Sequence, residues 1–122
     1  WAGICAGNDE SAGKKRSSRI RKGNRWLRQT LVQAAWAASH TKQTYLAAQY
    51  RRLAPRRGKK RALIALAHTM LTIVYHMMKA GTSYHELGAD YFDRRNSEQL
   101  TRQLVHRLES LGHKVVLKPQ AA

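Results

Sequence analysis

Eight of the fifteen residues from Lys14 to Arg28 are lysine or arginine, and none is acidic. No folded interior accepts such a run, because unpaired buried charge is strongly destabilising. The segment must lie at the surface, and it runs directly into an apolar pattern of helical period. Ser11-Ala12-Gly13 stands just before it. A small hydroxyl residue is therefore placed beside a concentrated attraction for phosphate. Helix starts add unpaired backbone N–H groups to that attraction.

The rest of the chain repeats the imbalance. Lysine and arginine number 23 against 7 aspartate and glutamate, a net charge of +16. Self-repulsion on that scale opposes a compact state, and a polyanion relieves it. Nucleic acid is the expected partner; an anionic membrane surface is the weaker alternative. Cys5 is the single cysteine, so neither an intramolecular disulfide nor a cysteine-rich zinc set is available, which fits a reducing, cytoplasmic setting. The longest apolar run, Ala62 to Met78, contains His68 and His76 and falls short of the ~18–20 apolar residues of a membrane span. It reads as a buried helix, and no membrane partner is expected. The chain starts at Trp1, inside the apolar stretch WAGICAG, which gives the expectation of an upstream half.

Periodicity predicts a mainly helical, all-α domain of about four helices around a buried central one. Trp1 to Cys5 is compatible with a short strand, Asn8 to Gly13 reads as loop, and Lys14 to Lys22 as a basic loop. Asn24 is a suitable N-cap for a helix over about 25–40, with Leu27, Leu31, Ala34, Ala35 and Ala38 on one face. A second helix spans about 42–53 and is expected to stop at Pro55. A third, about 59–80, is apolar nearly all round and therefore central, with Gly81 as its stop. A last helix covers about 97–111. Residues 1–95 form the principal domain, and 96–122 a C-terminal helix and tail.

Several residues are candidates for chemistry. Ser11 is followed within five residues by Lys14, Lys15 and Arg16, which could hold a scissile phosphate. The residues alone leave it open between a nucleophile and a turn-capping hydroxyl. Ser17 fits phosphate contact, and Gly23-Asn24-Arg25 a backbone approach to phosphate. Arg51 to Arg61 is a second cluster, seven positive charges in eleven residues. Asp9 and Glu10 are too few and too close in sequence for a magnesium site, and the six histidines show no ligand spacing. Trp36 and Tyr50 read as core. Trp26, between Arg25 and Arg28, reads equally well as core or as a surface for nucleic acid.

The stretch WAGICAGNDESAGKKRSSRIRKGNRWLRQTLVQAAWAA resembles the start of the C-terminal transposase domain of the insertion-sequence one-ten family, which includes pilin-gene-inverting recombinases. TYLAAQYRRLAPRRGKKRA, IALAHTMLTIVYHMM and YHELGADYFDRR resemble the same region. The resemblance implies an RNA-guided DNA transposase in which Ser11 attacks a DNA phosphodiester and forms a phosphoserine link. Lys14, Lys15, Arg16, Ser17, Arg19, Arg21, Lys22, Asn24, Arg25 and Arg28 would contact DNA or guide RNA, with Arg56, Arg57, Lys59, Lys60 and Arg61 as a second surface. It also implies a partner domain with four acidic residues. Mg2+ is expected only with that domain, no cofactor in these residues, and no strand cleavage by them alone. DNA, a structured guide RNA and further copies of the full-length protein are the implied partners. Ala6 stands where the family often has proline, and Ser18 where glycine is common. The alternative from another class is a non-catalytic DNA- or RNA-binding helical module.

Overall fold

The computed structural model describes residues 1–118 except Ala6, Asn8, Ser18 and the side chain of Lys15. The chain divides into two units, Trp1–Ala89 and Asp90–Ala122.

The first unit opens with an antiparallel hairpin of β1 (Asp9–Ser11) and β2 (Lys14–Ser17). Three helices follow: α1 (Arg25–His40), α2 (Tyr45–Arg57) and α3 (Lys59–Ala80). Each packs on the other two, with α3 against both α1 and α2. Most of the buried residues at their contact are alanines. Ala35, Leu66 and Ala67 are fully buried, and Leu31, Val32, Ala38, Leu46, Tyr50 and Met70 pack around them. Alanine at the crossing lets helix backbones approach closely. The consequence is a small core, in which Leu66 is the largest fully buried side chain among the described residues.

The helix boundaries follow local chemistry. Asn24 caps α1, its side-chain oxygen accepting the N–H of Leu27 at 3.0 Å. Thr44 caps α2 through the N–H of Ala47. Gly81, at φ 64°, ends α3 in the left-handed region that glycine tolerates.

The mainly helical class is as expected, and four local expectations are corrected. The segment 9–17 is a hairpin, not a loop. Ala12 (φ 51°) and Gly13 (φ 73°) both take positive φ, the two-residue turn that matches strand twist. α2 runs through Pro55 to Arg57. Proline lacks one donor but sits in the last turn, where its loss removes a single bond, and Gly58 stops the helix three residues later. Trp36, expected in the core, is 59% exposed because it falls on the outer face of α1. α3 is buried on one face of its first half; Val74, Tyr75 and Met78 are exposed, and so are His68 and His76. By length and composition alone α3 also reaches what a bilayer span requires, a test that a core helix passes too.

The second unit holds α4 (Tyr91–Arg95) and α5 (Ser97–Ser110). The last helix belongs to this unit. Arg94 and Asp90 pair at 2.9 Å, an exposed contact of small energetic weight. The α5 stripe is predominantly exposed at Leu104, Leu108 and Leu111.

Candidate nucleic-acid interface

The basic run is a folded ribbon. Beyond the hairpin its two arms stay paired: the N–H of Gly7 donates to the carbonyl of Arg19 at 2.9 Å, and the N–H of Asn24 to that of Trp1 at 3.1 Å. Glycine makes this approach possible. A Cβ on Gly23 would lie 2.4 Å from both the nitrogen of Gly3 and the carbonyl oxygen of Trp1; one on Gly7 would lie 2.6 Å from the oxygen of Arg19. Trp1, Gly3 and Gly7 thus lie on one arm of the ribbon, and the segment from Arg19 to Asn24 is the other.

Ser11 is the last residue of β1, paired across the strands with Lys14, and it is exposed beside the turn. Its hydroxyl has no hydrogen-bond partner among the described residues. The register shifts by one between Asp9↔Ser17 and Glu10↔Lys15, which leaves Arg16 as the extra residue of β2. Such a bulge twists a strand and re-aims side chains. Lys14, Arg16, Arg19, Arg21, Lys22 and Arg25 are exposed, and Arg28 is half-buried. The hydroxyl of Ser17 accepts the N–H of Arg19 at 3.2 Å. Asn24 has its side-chain oxygen committed to the cap of α1. The side chain of Lys15, and Ala6 and Ser18, lie outside the described residues.

The second cluster sits at the α2–α3 corner. Arg56, Arg57, Lys59, Lys60 and Arg61 are all exposed. Arg57, Lys60 and Arg61 line a cleft of about 670 Å³ whose other walls include Ile4, Cys5 and Ile20 of the ribbon and Gln49 and His68 of the helices. The structure thus brings part of the second cluster against the base of the first. Gln49 donates to Thr69 Oγ1 at 2.9 Å, while its own oxygen is buried without a partner among the described atoms. Nothing in the sequence marks Ile4, Cys5 and Ile20 as neighbours of α3, since the contact depends on ribbon pairing over long sequence separation.

Helix ends add to the field. None of α1, α2 and α3 has an acidic residue in its first turn, where a carboxylate would complement the macrodipole. α2 acquires one from afar: Glu86 Oε1 accepts the N–H of Tyr45 at 2.7 Å and that of Gly88 at 3.0 Å. Tyr84 donates its hydroxyl to Glu86 Oε2 at 2.9 Å. Desolvation pushes the Glu86 carboxyl up, but the bonds from Tyr45, Gly88, Tyr84 and Leu87 outweigh it and hold the pKa below the ordinary value. Burial, the bond to Glu86 and its negative charge push the Tyr84 hydroxyl up to about 12. The first turns of α1 and α3 carry Arg25 and Arg28, and Lys59, Lys60 and Arg61. Cations there work against helix stability and in favour of a bound anion.

A separate cleft of about 860 Å³ lies between the second half of α3 and the segment 82–87, with His68, His76 and His85 in its walls. No group of three or more His, Cys, Asp or Glu suited to a metal occurs among the described residues. Asp9 and Glu10 are exposed and adjacent on the ribbon and do not fit a divalent-metal site by themselves.

Residues 1–51 match the model of a transposase family, described as the IS116/IS110/IS902 family. The match runs through the ribbon, Ser11, the first basic run and α1 into α2. Over that stretch the chain is similar to these transposases, which supports a transposase-related function. Searches of curated proteins and of solved structures each returned no match.

Proposed function

We propose that the ribbon and the α2–α3 corner form the DNA- and guide-RNA-contacting surface of a transposase, and that Ser11 is its nucleophile. The observation that carries this reading is the placement of Ser11: exposed, at the tip of a basic ribbon, opposite Lys14. In the reaction Ser11 Oγ bonds to the phosphorus of a phosphodiester and one P–O bond to deoxyribose breaks. The released sugar hydroxyl carries a proton, balancing the one the serine gives up. Lys14 and Arg16 hold the non-bridging oxygens, where charge accumulates. Among the described residues no base is hydrogen-bonded to the Ser11 hydroxyl, and in this reading a partner domain completes the step. The acidic domain implied by the family resemblance would bring its own Mg2+, and this chain alone cleaves no strand. The assembly works in the cytoplasm as a homo-oligomer of the full-length protein and needs no membrane.

A second reading, a non-catalytic nucleic-acid-binding module, draws support from the unpartnered hydroxyl of Ser11. The two separate in one experiment. The full-length protein is incubated with matched DNA and denatured, and a protein–DNA adduct is sought. Loss of the adduct in Ser11→Ala with DNA binding retained supports the nucleophile. An adduct undiminished by that change assigns the chemistry elsewhere.

A further inference from the structure

Tryptophan is rarely left at a surface without a partner, because its large apolar faces gain most from burial. Trp26, the second residue of α1, is 77% exposed. It has no ring partner among the described residues. Trp1 is 93% exposed, and its carbonyl accepts the N–H of Asn24, two residues before Trp26. The tight approach of Gly3 and Gly23 fixes that junction. Two indoles are therefore anchored to the same point of the fold, where the ribbon enters α1.

The surroundings of that point are cationic. Arg21, Lys22 and Arg25 are exposed beside it, and the first turn of α1 holds no acid. Trp36 on the same helix provides the contrast. Its ring lies 4.5 Å from that of His40, and the helix around it carries no lysine or arginine from Gln29 to Thr41. Exposed indole and exposed cation coincide at the ribbon junction and not at the other end of α1.

Resting on the nucleic-acid reading above, we infer that this junction is a stacking site for unpaired nucleobases, with Trp26 as its principal platform. A surface indole cannot reach the faces of bases inside a duplex, which are covered by their neighbours. It can stack on a base in a single strand or loop, while adjacent cations hold the phosphates on either side. The basic ribbon attracts both forms through charge; Trp26 distinguishes them.

The test uses the full chain with an oligothymidylate and a blunt duplex of matching length. Affinity is measured for wild type, Trp26→Ala, Trp26→Phe and Trp36→Ala, alongside intrinsic tryptophan fluorescence and circular dichroism. Stacking predicts that Trp26→Ala weakens single-strand binding between about 5-fold and about 150-fold, the range for loss of one base–aromatic stack. Duplex binding should stay within about 2-fold, Trp26→Phe should recover most of the loss, and Trp36→Ala should bind as wild type. Single-strand quenching should disappear with Trp26. Unchanged single-strand affinity in Trp26→Ala, or an equal loss on both nucleic acids, overturns the inference and leaves the nucleic-acid reading intact. Failure of the wild type to bind either probe removes the nucleic-acid reading, and the inference with it. Binding of an acidic protein surface at Trp26 in preference to both probes also overturns it.

Discussion

Gly23→Ala should dismantle the ribbon and leave the helices standing. The added Cβ would sit 2.4 Å from the carbonyl oxygen of Trp1 and from the nitrogen of Gly3, both backbone atoms with no flexible end to swing away. Ordinary contact begins near 3.4 Å, so the arms must part by about 1 Å. The bond from Asn24 to Trp1, 3.1 Å at present, would then stretch to about 4 Å and cease to be one. Overpacking costs about 1–3 kcal/mol and the broken bond about 1 more. A two-stranded ribbon has no comparable reserve of its own. The helical core around Ala35, Leu66 and Ala67 is packed by side chains of α1, α2 and α3. Hydrogen exchange should show loss of protection at the amides of Gly7 and Asn24, with helical circular dichroism preserved. The cations remain on the chain, so the salt dependence of binding, near a slope of about −7 for eight phosphate contacts, should persist. Any Ser11-dependent adduct should fall at least about tenfold, because its formation needs position as well as charge. Gly13→Ala is the control: its Cβ meets nothing within 4 Å, and only its φ of 73° carries a cost, about 1 kcal/mol. Retained protection at Gly7 and Asn24 in Gly23→Ala would refute the close-approach reasoning.

Two further outcomes follow from the core and from the Glu86 anchor. Leu66→Ala, at a fully buried position between α1 and α3, should lower stability by about 2–5 kcal/mol in denaturant titration; a loss under about 1 kcal/mol would mean the core collapses around the gap. Glu86 has a depressed pKa in the folded chain, so its stabilising contribution is present above the ordinary value of 4.5 and is lost as pH falls through the lower folded value. Wild type should exceed Glu86→Gln in thermal stability at neutral pH by no more than about 1 kcal/mol, since the carboxylate is largely exposed and screened. That margin should vanish in acid, and the Tyr84 titration should move from about 12 towards 10.0 in the variant.

Legibility divided along physical lines. The three helices of the first unit were readable because each carries a periodic apolar face and a local stop or cap. Asn24 and Gly81 act on residues three or four positions away, well within the reach of sequence reasoning, whereas the Thr44 cap, which starts α2 at Tyr45 and not near 42, was not read. The hairpin was not readable: Ala12-Gly13 is a weak turn signal beside Asn-Gly, and β1 is exposed throughout, without alternation of apolar and polar residues. Pro55 misled because its effect depends on how many turns remain after it. Trp36 misled because an aromatic on a helix is assigned to the core until the direction of the face is known. The basic clusters were legible because composition displays charge; their grouping into a ribbon and a cleft was not.

The sequence by itself determined that this chain is helical and strongly cationic, because propensity, capping and net charge are local or additive properties. Tertiary structure alone decided that Ser11 stands at a ribbon tip, that Arg57, Lys60 and Arg61 face Ile4 and Ile20 across one cleft, and that Glu86 reaches the start of α2. Each of these joins residues distant in the chain. Their pairing is set by which backbones can approach, here through glycines at positions 3, 7 and 23, and no local pattern encodes that.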